Sequence, residues 1–233
     1  MRYTVLTYIF GNYEKVHEVG EKDPDADYVL VTDDLELTSD TWRIVHDADL
    51  RWLTVWEKCY CVRFNPFKYT NSDIIVRLDG SIGINRPLKP LVDEFNHGEY
   101  DRCLMIHPTR DNIPDEYQAW IDIREYPEAQ AQHCMAIMQH LGYDLSRKGL
   151  YQGCFEIVRL NRVNTIINTL THGLLRYAAT DGHIERVNQT WLSMVVNHLF
   201  EGQLKVMPVT EDILHGELMT WYQHNSDAVN PMQ

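Results

Sequence analysis

Basic residues are scarce in this chain. Lys and Arg number 21 against 34 Asp and Glu, a formal net charge of −13. That balance weighs against a protein that coats DNA or an anionic membrane, because phosphate polyanions are held by clusters of Lys and Arg. It leaves room for a local basic pocket that takes a small phosphate-bearing ligand. Cysteine is sparse as well: Cys59, Cys61, Cys103, Cys134 and Cys154 form an odd set at irregular spacing, with no CxxC pair. The Cys59-x-Cys61 pair has no second half to complete a zinc site, so free thiols in a reducing compartment are expected. No apolar run approaches the ~20 residues that a membrane-spanning helix needs. The apolar stretch near Met1 is broken by Gly11 and Asn12 and is too short for a signal peptide. The expectation is a cytoplasmic protein with no transmembrane segment. The GxGxxG, Walker A, HExxH and GxSxG motifs are all missing, which removes the usual dinucleotide, P-loop, zincin and hydrolase readings.

What is present is enough for a substantial core: 233 residues, 44% of them hydrophobic. Short β-branched or aromatic runs predict strands at 3–10, 27–32, 42–45, 73–78, 102–107 and 153–160. Helices are predicted at 55–64, 87–96, 127–141, 161–175 and 184–199, the first ended by Asn65-Pro66 and the third by Gly142. Strands that alternate with helices imply an α/β class with a central, mostly parallel mixed sheet flanked by helices. No linker, repeat or low-complexity stretch interrupts the series. One domain over residues 1–210 is therefore expected, with an irregular tail over 211–233 that packs on the site.

Four stretches carry candidate chemistry. Asp79-Gly80-Ser81 follows the most apolar strand, Ile74-Ile75-Val76-Arg77-Leu78. Ligands of open α/β sheets bind outside the carboxyl ends of the strands, and a carboxylate there can ligate Mn²⁺ or Mg²⁺ beside a diphosphate. Asp-Gly is equally a common turn pair. Asp23-Pro24-Asp25-Ala26-Asp27 has calcium-loop spacing but holds Tyr28 and Asp34 where glycine and a bidentate Glu are needed, so it reads as a polar turn. His107-Pro108-Thr109-Arg110 closes another strand; its imidazole and guanidinium suit phosphate or sugar hydroxyls, or else a simple strand cap with a solvated arginine. Asn188-Gln189 opens a helix, and its amides either bind sugar hydroxyls or are an ordinary polar helix start.

Taken in order, residues 27–33, 73–84, 107–110, 149–153 and 187–189 resemble small glycosyltransferases of the GT-A fold, a Rossmann-like single-domain α/β fold, over roughly residues 1 to 200. The resemblance implies a nucleotide-sugar donor, most simply UDP-linked, and a glycan or other hydroxyl acceptor. It implies that Thr7 to Gly11 line the nucleoside pocket with Asp33 near the base. It places Asp79 and Ser81 at the family's metal-binding element, with Ser81 in place of a second acid, and a late histidine, His224 or else His215, as a further ligand of Mn²⁺ or Mg²⁺. Asn188-Gln189 stands where related retaining enzymes carry an Asp-Gln pair beside the sugar. Asp79, Asn188, Gln189 and Arg110 are thus the implied catalytic group. Lys58, Arg63, Lys68, Ser81 and His107 are candidate contacts to the donor, since a diphosphate leaving group gathers negative charge that basic groups and a cation stabilise.

Two other readings stand beside this one. A non-catalytic binding domain on the same fold is suggested by Ser81 and Asn188 in place of acids. A nucleotidyltransferase would need a glycine-rich basic loop after the first strand, which Gly11-Asn12-Tyr13-Glu14-Lys15 matches poorly. A nucleic-acid acceptor, such as a phage DNA base, is disfavoured by the acidic charge.

Overall fold

The computed structural model describes residues 1–123, 125–179, 185–214 and 216–222. Its centre is a seven-stranded sheet in the order β3-β2-β1-β4-β7-β6-β8. The strands are β1 (Tyr3–Ile9), β2 (Ala26–Thr32), β3 (Arg43–Val45), β4 (Ile74–Leu78), β6 (Arg102–Ile106), β7 (Tyr151–Arg159) and β8 (Val206–Val209). All of them run the same way except β7, which is antiparallel to both of its neighbours. Two further strands, β5 (Ile82–Ile84) and β9 (Met219–Trp221), pair antiparallel as a small separate sheet. The molecule is therefore the α/β, mostly parallel mixed-sheet architecture read from the sequence.

Burial on both faces explains why β1 and β4 are continuous apolar runs rather than alternating ones. Every residue of both strands is buried. One face carries Leu6, Tyr8, Val29, Val31, Ile75 and Leu104 against α1 (Val55–Phe64), α5 (Arg162–Tyr177) and α6 (Asn188–Met194). The other carries Val5, Ile9, Val76 and Ile157 against α2 (Lys89–His97) and the β5–β9 pair. Helix α3 (Ile113–Asp122) and α4 (Glu128–His140) extend the first face through Tyr117, Ala131 and Cys134.

Local sequence fixes the helix ends. Thr54 and Glu57 form a reciprocal capping box at the start of α1. Asn112 and Asn161 cap α3 and α5 by accepting from the backbone N–H three residues on. Gly142, at φ 85°, ends α4 in the left-handed conformation that glycine adopts freely.

Five elements were not read from the sequence: α3, β5, β8, the helical turn Glu211–Leu214 and β9. Helix α3 carries helical apolar spacing at Ile113, Tyr117, Trp120 and Ile121, and β5 and β8 are strands of three and four residues. The segment after residue 210 is not wholly irregular: a helical turn Glu211–Leu214 is followed by β9, which folds back on β5. Helix α6 begins at Asn188 rather than at 184. Among the described residues, no helix is long and apolar enough to cross a membrane.

Candidate functional site

The strand order locates the site. The chain steps outward from β1 to β2 to β3 and then returns to place β4 on the other side of β1. This reversal opens a crevice outside the carboxyl ends of β1 and β4. Gly11 and Asp79 sit at those two ends. Their approach is close: a Cβ on Gly80 would lie 2.8 Å from the Tyr8 carbonyl oxygen and 2.9 Å from Ile9 Cγ1. Glycine at position 80 is thus required by packing at the crevice, beyond its use in a turn.

Asp79 is not a free carboxylate. Its Oδ1 accepts from Arg77 Nη1 at 3.0 Å and from Tyr8 Oη at 3.3 Å. Arg77 is fully buried on β4, donates Nε to Glu156 Oε1 at 2.6 Å, and donates Nη2 to the Gly153 carbonyl. Glu156 on β7 also accepts from Arg102 of β6, whose Nη1 continues to Asn168 of α5 at 2.9 Å. Burial works to raise the Glu156 carboxyl, but the charges of Arg102, Arg77 and Arg63 hold it well below the usual carboxylate range.

A second hydrogen-bond chain starts at Gly153. Its N–H donates to Gln189 Oε1 at 3.3 Å, and Gln189 Nε2 donates to Glu116 Oε1. Glu116, fully buried on α3, accepts from Trp120 Nε1 at 2.7 Å and pairs with Arg110 through Oε2. His107 Nε2 lies 3.4 Å from that same oxygen. His107 Nδ1 accepts from the backbone N–H groups of Thr109 and Arg110, and Arg110 Nη2 lies 2.9 Å from its Nε2. Burial, with the Arg110 charge, holds this imidazole below its ordinary 6.5 against the pull of Glu116.

The structure thus joins Asp79, Gln189, Arg110 and His107 through Gly153 into one network. Arg63 and Asn188 abut the same glycine: a Cβ at position 153 would lie 2.7 Å from Arg63 Nη1 and 3.0 Å from Asn188 Oδ1. Asn188 Nδ2 points to Tyr60 Oη at 3.5 Å. Gly11, Asp33 and Lys58 form a separate group on the same edge, with Asp33 accepting from Gly11 N at 2.9 Å and from Lys58 Nζ at 2.7 Å. Thr7 is buried on the opposite sheet face from Tyr8, with no partner for its hydroxyl among the described residues. Ser81 offers its carbonyl to Tyr222 N at 2.9 Å. Lys68 is engaged by Asp47 and Asp49. His215 and His224 lie outside the described residues.

An open groove of about 1040 Å³ lies at the opposite sheet edge, lined by Met1, Asp25, Arg43, Lys68 and Asp73 among others. Arg43 and Lys68 there are already paired, with Asp27 and with Asp47 and Asp49. The crevice at β1 and β4 is the better candidate because it keeps unsatisfied groups: Arg63 Nε, Gln152 Oε1 and Asn188 Oδ1 are buried without a hydrogen-bond partner among the described residues.

The described residues alone do not make a divalent-cation site, and the late histidine implied by the resemblance lies outside them. Among the described residues, no three His, Cys, Asp or Glu side chains gather as a metal-holding set. Asp79, the one acid of the Asp79–Ser81 turn, already serves Arg77 and Tyr8.

Arg77, Glu156 and Glu116 were missed from sequence. A single charge inside an apolar strand, as in Ile75-Val76-Arg77-Leu78 and Phe155-Glu156-Ile157, was a usable signal, since such a charge is buried only with a partner. Glu116 gave none. In comparisons with known proteins, the chain matches no family model and no curated protein.

Proposed function

We propose that the chain is a glycosyltransferase that moves a sugar from a nucleotide-diphosphate donor to a glycan or other hydroxyl acceptor. One observation carries the reading: the groups suited to a charged donor and a sugar meet around Gly153, at the reversal point of an α/β sheet. On this reading Asp33, Lys58 and Gly11 form the nucleoside end of the crevice. Asn188 and Gln189 supply amides to sugar hydroxyls, and Gln189 is held in place by Glu116 and Gly153. Arg110, about a third exposed, and Arg63 supply positive charge to the leaving group.

The test is a panel of nucleotide sugars offered with and without sugar acceptors, read as nucleotide release and as heat of binding. Release with one donor supports the reading. No binding of any nucleotide sugar or nucleoside diphosphate ends it. A second reading, a binding domain without turnover, is favoured by the pairing of Asp79 with Arg77 and by Asn188 in place of an acid. Donor binding with no release under any acceptor would select it.

A further inference from the structure

The buried charges beside the crevice do not balance. Arg63, Arg77 and Arg102 are at most 3% exposed, and they face one fully buried carboxylate, Glu156, and one partly exposed carboxylate, Asp79. Arg102 is satisfied by Glu156 and Asn168, and Arg77 by Glu156, Asp79 and the Gly153 carbonyl. Arg63 is left over. It donates no hydrogen bond to any described residue through Nε, and its one ion-pair contact among them is Glu156 Oε1 at 3.9 Å. A guanidinium does not escape burial by losing its proton. An uncompensated one is costly in a protein interior and calls for an anion. Glycine at 153 is what lets this guanidinium reach the crevice, because any side chain there would meet Nη1 and Nη2 at 2.7 and 3.0 Å.

Resting on the glycosyltransferase reading, we propose that the donor's diphosphate is held by the guanidinium of Arg63, with Arg77 lending charge from behind, and that no divalent cation takes part in its binding. Asp79 is then the internal counter-ion of Arg77. A cation at Asp79 would sit against the Arg77 guanidinium, 3.0 Å from the same carboxylate oxygen, and like charges so close repel strongly in a partly buried site. The guanidinium fork also matches phosphate oxygens in geometry, which makes arginine a direct substitute for a metal bridge.

The experiment is calorimetric titration of UDP into the full chain, once in EDTA and once in excess Mn²⁺. The expected result is binding in EDTA with no gain from Mn²⁺. Asp79→Asn should bind UDP more tightly in EDTA, since it removes a negative charge and frees Arg77. Arg63→Met should weaken binding by about tenfold or more, the loss of one charge-assisted hydrogen bond. Gly153→Ala keeps the strand intact and displaces only the flexible ends of Arg63 and Asn188, so it should melt like the wild type and bind less well. UDP binding that requires Mn²⁺, or that Asp79→Asn abolishes, overturns the proposal and leaves the glycosyltransferase reading standing. Wild-type affinity in both Arg63→Met and Gly153→Ala also overturns it. Absence of UDP binding with and without Mn²⁺, extended to the other nucleoside diphosphates, overturns both.

Discussion

Replacing Glu156 by Gln tests how much of the fold depends on the buried ion network. The change keeps shape and volume but removes the charge that Arg77, Arg102 and Arg63 share. One carboxylate oxygen becomes an NH₂ group, a donor facing guanidinium donors, so either Arg77 Nε or the Arg102 fork loses its acceptor. All four groups are buried. Removing one partner of a buried ion pair costs about 3–5 kcal/mol. For a chain of 233 residues, each kcal/mol lowers the melting midpoint by about 2–4 °C, so the expected fall is roughly 6–20 °C. The assay is urea unfolding at neutral pH followed by tryptophan fluorescence and far-ultraviolet circular dichroism, with the slope checked for constancy. Glu201→Gln, which breaks the exposed pair with Arg147, is the control and should leave the midpoint where it is. A Glu156→Gln loss below about 1 kcal/mol would show that the arginines find other partners and would refute the reasoning.

Three other outcomes are expected. Burial holds His17, His107 and His172 below their ordinary 6.5; the unfolded chain therefore binds protons first, and stability should fall as pH drops below 6.5, with a flat melting temperature between pH 7 and 5 counting against it. Gly80→Ala forces a Cβ to within 2.8 Å of the Tyr8 carbonyl, where backbone has to move, and should cost about 1–3 kcal/mol in urea unfolding; a neutral result would mean the two strand ends separate easily. Burial pushes the Cys103 and Cys134 thiols up to about 12, so a disulfide reagent at mildly alkaline pH should label the half-buried Cys61 first and these two buried thiols only on unfolding; mass mapping of the labelled peptides decides.

The alternation of strands and helices was legible because each element carries a local signature. Val55–Phe64 has its capping box and its Asn-Pro stop, and β4 is an apolar run bounded by polar residues. The neighbourhood of the site was legible in the same way, as polar residues placed just past strand ends: Asp33, Asp79 and His107. The pairing that decides the chemistry was not. Arg77 and Glu156 lie 79 positions apart, and only the placement of antiparallel β7 beside β4 brings them into register. Glu116 reaches Gln189 across 73 positions, from the buried face of α3. A carboxylate such as Asp79 reads as a metal ligand while it is seen alone; its partner two residues back changes what it can do.

The small β5–β9 pair has a practical consequence. Tyr222 donates its backbone N–H to Ser81, and its ring stacks on His17 at 3.8 Å. Anything joined to the chain beyond residue 222 therefore departs from beside the Asp79 turn. Met1 lies at the opposite edge of the sheet, on the rim of the polar groove. An affinity handle or fluorophore fused ahead of Met1 stands clear of the crevice, whereas the same group fused after the last strand begins next to it. Binding measurements on this protein should carry their tag ahead of Met1 rather than directly behind residue 222.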